Sequence, residues 1–222
     1  MRRASLLLLC FLIAGCATGG LNTPAPVTLR SAGSTSLQPV LEDLAAAYQA
    51  GTPNVLIDVR GGGSTIGAQQ LRDGRIDLAA VSWQAEGEEL PANWRAVPVA
   101  RDGIAIIVHP SNPLANITAL QLRALYRGAI LDWAALGGST SPPVIISREE
   151  GSGTRAAFEA LAMGGERVTL NALVMPTSQA VVGYVSSHPD AVGYVSSGAL
   201  TDKVRAVPVE EVAPVVEDEA AA

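Results

Sequence analysis

Short runs of β-branched and apolar residues alternate along the chain with segments in which apolar residues recur every three or four positions. Such periodicity distinguishes strands from helices. It predicts strands at 27–30, 55–59, 76–81, 104–108 and 144–147, and helices at 37–48, 66–71, 120–126 and 155–162. The repeated strand–helix order predicts an α/β fold with covered, largely parallel sheets.

One pentapeptide, GYVSS, occurs twice, at 183–187 and at 193–197. Two copies are too few for a solenoid, which needs at least three stacked units. We predict that the first copy ends a helix and that the second forms a strand, so the identity has no architectural meaning.

The N-terminal residues 1–16, MRRASLLLLCFLIAGC, are typical of a bacterial export signal. Two arginines precede an apolar stretch at 6–14, which is too short to cross a hydrocarbon core of ~30 Å. Small residues precede Cys16, as in a lipobox, although an ordinary signal peptide with an incidental cysteine is the alternative. We predict a signal peptide at 1–15, lipidation of Cys16, a tether at 16–26 and an extracytoplasmic, membrane-anchored protein.

Composition narrows the function classes. The 222 residues are 48% hydrophobic and 16% charged, which suits a folded protein with a sizeable core. The formal net charge of −6 argues against a nucleic-acid partner, since the phosphate backbone requires a basic surface. Two cysteines and two histidines do not support a disulfide scaffold or a zinc site, so we expect no metal and no cofactor.

Three loops share one arrangement, in which glycines and hydroxyl residues stand between a predicted strand and a predicted helix. The loops are 32–36, 61–65 and 148–154. A helix start leaves several N–H groups unpaired and carries partial positive charge. Glycine lets the backbone approach a ligand, and Ser and Thr add hydroxyl donors. Three such loops in one place would surround an oxyanion with neutral donors.

Arg148 distinguishes the third loop from a simple helix cap. Any one of these serines or threonines is explained as an N-cap when taken singly. A planar guanidinium suits two oxygens of a tetrahedral anion, so the arginine together with three loops favours a binding site. Glu149 and Glu150 follow it directly, and we expect at least one of them to pair with Arg148 or to face solvent. No loop continues into GK[ST], so a nucleotide P-loop is not supported.

In five segments the chain resembles the PstS-like family, the phosphate-binding substrate-binding proteins of bacterial ABC importers. These segments are 31–39, 61–67, 102–114, 148–155 and 191–196, in the order of the family. The resemblance implies an α/β, two-lobed periplasmic-binding-protein-like fold with the ligand cleft between lobes. It also implies a monomeric, non-enzymatic receptor that captures inorganic phosphate for an ABC permease in the membrane.

Carried over by position, the resemblance implies two lobes and a set of phosphate ligands. Lobe one is expected at 27–105, completed by 194–213, lobe two at 106–193, and an acidic tail at 214–222. The implied phosphate ligands are Ser34, Thr35, Ser36, Ser64, Ser82, Arg148, Ser152, Gly153 and Thr154.

Two further residues matter for that site. Glu150 stands where an acidic residue of the family often orients the arginine. Ser82 is a departure, since some members have an aspartate there that accepts a proton from phosphate and repels sulfate. The chain is also shorter than typical members.

The sequence alone is also compatible with other functions. A receptor for sulfate or molybdate fits the same loops. A serine hydrolase or phosphatase could use Ser152, but the surrounding residues do not fit G-x-S-x-G and the only histidines are His109 and His188. Arg155, one residue beyond the third loop, is expected to face outward from its helix.

Overall fold

A parallel three-stranded sheet forms the first lobe in the computed structural model, which describes residues 25–83 and 90–210. The predicted signal peptide 1–15, Cys16, most of the tether and the acidic tail 214–222 therefore lie outside the described residues. The first-lobe elements are β1 (Val27–Gly33), α1 (Gln38–Gly51), β2 (Val55–Arg60), α2 (Ser64–Arg72) and β3 (Leu78–Ala80). The strand order is β2-β1-β3.

The position of the loops follows from this topology. Strand β1 pairs in parallel with both β2 and β3. The carboxyl ends of all three strands consequently lie at one edge of the sheet, which is where ligands bind in open α/β sheets. The first two glycine–hydroxyl loops and Ser82 follow those ends directly. Strand β3 is shorter than the predicted 76–81, because only residues 78–80 pair with β1.

The second lobe is built on a mixed five-stranded sheet of order β7-β6-β8-β4-β9, with a separate β10-β5 pair. Two 3-10 turns, at Trp133–Leu136 and Ser197–Ala199, complete it. The regular elements are β4 (Ile104–Val108), β5 (Ile117–Thr118), α3 (Ala119–Tyr126), β6 (Val144–Arg148), α4 (Gly153–Leu161), β7 (Leu173–Met175), α5 (Ser178–Val185), β8 (Ala191–Ser196), β9 (Arg205–Val207) and β10 (Val209–Glu210).

The large sheet is buried on both faces. Alternate residues of β4 enter two different clusters, with Ile106 in one and Ile107 in the other. In the first cluster the rings of Phe158 and Tyr194 stack with centroids 4.0 Å apart, and Tyr126 meets Phe158 edge-on at 4.7 Å. This packing gives the second lobe a rigid platform for the end of β6, where Arg148 lies.

The expected division of the lobes is wrong at the C-terminal end. Residues 194–213 were expected to complete lobe one, but β8 runs on to Ser196 in the second sheet and β9 pairs antiparallel with β4. The described residues 194–207 therefore add to the second-lobe strands, and β4 itself begins at Ile104. Both GYVSS copies fall as predicted, one at the end of α5 and one in β8. Among the described helices, none has the length and apolar character needed to cross a bilayer.

Candidate anion-binding site

The first two loops contact each other at the carboxyl edge of the first sheet. The amide of Gly63 donates to the Gly33 carbonyl at 2.8 Å, and the Ser34 amide donates to the Ala80 carbonyl at 2.8 Å. Gly33 has a φ of +143°, and a Cβ atom there would lie 2.1 Å from the Ala80 oxygen. Glycine is therefore required at this turn, because the backbone strands approach too closely for any side chain.

The third loop reaches across from the second lobe to meet the other two. The Thr65 amide donates to the Gly151 carbonyl at 3.1 Å. A Cβ on Gly153 would lie 2.4 Å from the Ser82 Oγ and 2.5 Å from the Ser64 Oγ, so the start of α4 lies directly against these two hydroxyls.

The structure thus brings all nine predicted ligand positions to one place between the lobes. The hydroxyls of the first loop and of α4 meet where the Ser36 Oγ lies 3.4 Å from the Thr154 Oγ1. The first lobe contributes Ser34, Thr35, Ser36, Ser64 and Ser82, and the second contributes Arg148, Ser152, Gly153 and Thr154.

Arg148 is the charged centre of this cluster and is 1% exposed. Its Nη2 donates to the Thr35 Oγ1 of the other lobe at 3.1 Å, and its Nη1 donates to the Ser178 Oγ at 3.2 Å. The guanidinium also makes a two-pronged contact with Glu149, at 3.0 Å and 2.9 Å. Carbonyls at 175–176 accept further bonds from it. Arg148 therefore connects both lobes through one buried group.

Glu149 is the carboxylate that orients Arg148, so the assignment of this role to Glu150 is wrong. Glu150 is directed to the surface, where its side chain is 70% exposed and pairs with Arg155 and Arg167. The hydrogen bond from Arg167 is the main cause that holds the pKa of Glu150 below its usual range. The turn after β6 decides this, because it directs successive side chains to opposite sides of the loop.

Arg155 does not face outward, in contrast to the expectation from its helix position. It is 7% exposed, and its Nη1 donates to the Arg148 carbonyl at 3.0 Å. Its guanidinium also pairs with Glu159 at 2.9 Å and with Glu150 at 3.0 Å. Side chains in the first turn of a helix lean toward its N-terminus, so Arg155 folds back beneath the loop and supports it.

Some of the hydroxyls act as helix caps, as the simpler interpretation predicted. Ser152 is the N-cap of α4, where its Oγ accepts from the Arg155 amide at 3.3 Å. The Ser34 Oγ accepts from the Leu37 amide at 3.3 Å in the turn before α1, which has no side-chain N-cap of its own. Ser64 does not cap α2 and instead accepts from the Ser82 amide at 3.2 Å. Each hydroxyl that accepts one bond still has its own proton to donate to a ligand.

Several backbone amides at the cluster remain available as donors. Within residues 25–83 and 90–210, the amides of Ser36, Ser64, Gly153 and Thr154 donate to no protein acceptor. These groups stand at the starts of α1, α2 and α4, where partial positive charge accumulates. Hydroxyls, amides and one guanidinium together form a donor-rich site of the kind that binds a small oxyanion.

Sequence reasoning missed two supporting residues. Ser178 lies at the first position of α5, after a strand and the capping Thr177, so the rule used for the three loops could have found it. Tyr194 is different, because it is one of many apolar residues in a strand. Its hydroxyl lies 2.9 Å from the Ser147 Oγ and accepts from the Arg148 amide at 3.2 Å. Burial raises the pKa of Tyr194, so the phenol stays protonated.

Comparison of the sequence with known proteins identifies the family to which this chain belongs. A family model for the PBP superfamily domain matches residues 21–219. Phosphate-binding protein PstS of Bacillus subtilis is 29% identical over 191 residues, which cover 84% of this chain and 63% of that protein. Phosphate-binding protein PstS of Pseudomonas aeruginosa is 32% identical over 213 residues, which cover 86% of this chain and 65% of that protein. The chain thus spans slightly less than two thirds of the length of these curated relatives.

A solved structure gives the same result. It is the crystal structure, with bound phosphate, of a Clostridium perfringens protein described as a phosphate ABC transporter substrate-binding protein. The two chains share 36% identity with a TM-score of 0.77, and the match covers 82% of this chain and 75% of that one. The predicted α/β, periplasmic-binding-protein-like fold and the resemblance to PstS-like proteins are confirmed. The chain belongs to the PBP superfamily, as a relative of its PstS-like members.

Proposed function

We propose that this protein captures inorganic phosphate between its two lobes and delivers it to an ABC permease. The observation that carries the proposal is Arg148, a buried guanidinium at the place where three donor-rich loops from both lobes meet. The names of the PstS relatives, and the phosphate bound to the Clostridium perfringens protein, support the choice of ligand.

The proposed ligands are the nine residues of the cluster, acting mainly as neutral donors. Arg148 supplies the positive charge, but Glu149 offsets much of it at 2.9 Å. The helix starts at Ser64 and Gly153 therefore carry an important part of the compensation for the anion. This arrangement explains how a chain with a net charge of −6 could hold a phosphate.

The choice among oxyanions depends on Ser82. The Ser82 Oγ lies 3.4 Å from the Ser64 Oγ and can either donate or accept a hydrogen bond. A hydroxyl at this position tolerates a fully ionised anion better than a carboxylate would, so a receptor for sulfate or molybdate is the alternative within the same fold.

Within residues 25–83 and 90–210, neither histidine is placed to act as a base for Ser152 in a hydrolase. The His109 Nδ1 lies 2.7 Å from the Ser111 Oγ, and the His188 ring stacks on Tyr184 at 3.8 Å. Neither histidine is hydrogen-bonded to Ser152, which instead caps α4. A nucleophilic serine needs an adjacent base, so binding without chemistry is the function that this cluster favours.

We further propose that the protein acts outside the cytoplasm, as a monomer held at the membrane by a lipid on Cys16. The support is the N-terminal sequence, in which two basic residues, a nine-residue apolar stretch and small residues precede that cysteine. Cys16 lies outside the described residues, so membrane fractionation of a Cys16 variant tests its modification.

Titration calorimetry of residues 17–222 with phosphate, sulfate and molybdate tests the function directly. We expect phosphate to bind most tightly, with no hydrolysis of phosphate or carboxylic esters in parallel assays. Arg127→Ala is a control variant that should bind as the parent does, because that arginine is 56% exposed and, among the described residues, pairs only with Glu166. Tighter binding of sulfate or molybdate would favour the alternative receptor, and no heat with any of the three anions would overturn the proposed function.

A further inference from the structure

An open apolar groove borders β3 in the first lobe and continues to the anion cluster, since Ser36, Ser64, Ser82 and Thr154 also line it. Its walls include α1, α2 and the extended segment 90–103. Large apolar side chains line it while remaining substantially exposed, namely Val40 (42%), Leu78 (51%), Val81 (41%), Val97 (68%) and Val99 (46%). We call this surface the lobe-one groove.

The first lobe buries little apolar surface without a cover on this groove. Both clusters of buried hydrophobic residues belong to the second lobe. Among described residues of the first lobe, the buried apolar side chains are three alanines and Ile76, and α1 fully buries only Ala45. Strand β3 lies at the edge of its sheet, where backbone groups are open to pairing. A contiguous exposed patch of this kind marks an interaction surface.

The charge of the groove indicates what kind of segment covers it. Arg72, Arg95 and Arg101 line it, against the acidic residues Asp77 and Asp102. Within the described part of the chain, none of the three arginines forms a salt bridge. The matching occupant is therefore a short segment with both apolar and acidic residues.

We propose that residues 211–222 of this same chain dock in the lobe-one groove. Val209, next to the last described residue, lines the groove, so the chain leaves β10 at its rim. The segment reads EVAPVVEDEAAA, with three valines, four acidic residues and no basic residue. Twelve extended residues reach about 40 Å, which is enough to follow the groove past β3. Its valines cover the apolar wall, and its carboxylates meet the arginines.

Hydrogen exchange in the full-length chain tests the docking. Val215→Asp combined with Val216→Asp places charges against the apolar wall, so we expect peptides covering β3 to exchange at least about tenfold faster. Binding of a hydrophobic dye should rise in parallel. The matched control, Ala220→Asp with Ala221→Asp, adds the same two charges to the same segment and should leave both readouts at the parent level.

Two further experiments distinguish loss of docking from misfolding and from a change in phosphate binding. Arg95→Glu with Arg101→Glu, made in the groove itself, should raise exchange at β3 as the valine variant does, while phosphate titration reports an intact cluster. Unchanged exchange and dye binding in both variants would overturn the proposal. Protection of β3 that falls on dilution of the parent would also overturn it, because a second copy would then be the occupant.

Discussion

Arg148→Ala is the substitution that challenges the proposed site most directly. The side chain is 1% exposed and bonds to Thr35 in one lobe and to Ser178 in the other. Truncation removes the positive charge and leaves the Glu149 carboxylate without its partner beside the anion. Both effects act in the same direction, because an unpaired carboxylate repels a phosphate that the guanidinium attracted.

The expected magnitude follows from the burial of Arg148, whose guanidinium is the cation that we propose to pair with the phosphate. Removing one member of a buried, hydrogen-bonded charge pair at a binding interface costs about 2–5 kcal/mol. At about 1.4 kcal/mol for each tenfold change, phosphate affinity should fall by about 30-fold to about 4,000-fold. The loss of the six hydrogen bonds that the Arg148 guanidinium donates also lowers the free energy of unfolding, so the binding measurement needs a thermal melt beside it.

Calorimetric titration with phosphate checks the prediction in three variants. Arg148→Lys should recover only part of the affinity, because an ammonium cannot match the two-pronged contact that Arg148 makes. Arg127→Ala, the exposed control, should bind as the parent does. A folded Arg148→Ala that binds phosphate within about threefold of the parent would refute the reasoning, since that corresponds to less than 1 kcal/mol.

Three further substitutions test the surrounding structure. Arg155→Ala removes a buried guanidinium that donates to the Arg148 carbonyl, so phosphate affinity should fall about tenfold or more. Urea unfolding should show that the free energy of unfolding falls by about 3–5 kcal/mol. An affinity equal to the parent's would show that the third loop needs no such support. Partial burial acts to raise the pKa of Asp102, but hydrogen bonds from serine hydroxyls and the Gly103 amide outweigh it and lower that pKa. The ionised Asp102 carboxylate therefore stabilises the fold at neutral pH, and this stabilisation is lost as pH falls below about 5. Urea unfolding should show Asp102→Asn less stable than the parent at pH 7, with the two stabilities converging in acid. A stability difference that stays constant at all pH values would contradict this. Cys16→Ser should release the protein from membranes in cells lacking the permease, and continued membrane fractionation would rule out the lipid anchor.

Local sequence was sufficient to predict most helices and strands and to identify the loops that form the site. Hydrophobic periodicity predicted β1, α1, β2 and α4 because each depends on residues close in the chain. The site loops were equally visible, since glycine and hydroxyl residues between a strand and a helix form a local pattern. The convergence of the first two loops followed from one general rule, that parallel strands end at the same edge of a sheet. The third loop follows β6 of the other sheet, so only the packing of the two lobes brings it to the same place.

Strand partnership was decided only by the tertiary structure. The pairing of β8 and β9 with β4 places residues 194–207 in the second sheet, contrary to the expected division of the lobes. Pairing joins residues that are far apart in sequence, and the short runs that form β9 and β10 match several partners equally well. The open edge of β3 and the exposed lobe-one groove beside it are consequences of the same pairing.

The sequence by itself determined that Arg148 follows a buried strand and begins a donor-rich loop. Only the tertiary structure decided that Glu149 rather than Glu150 holds it, that Arg155 supports it from beneath, and that Ser178 and Tyr194 complete its surroundings. The physical reason is that a buried charge takes its partners from whichever polar groups the packed chain brings within about 3 Å. Spacing along the chain does not encode those distances, so the partners of Arg148 emerge only when both lobes are folded.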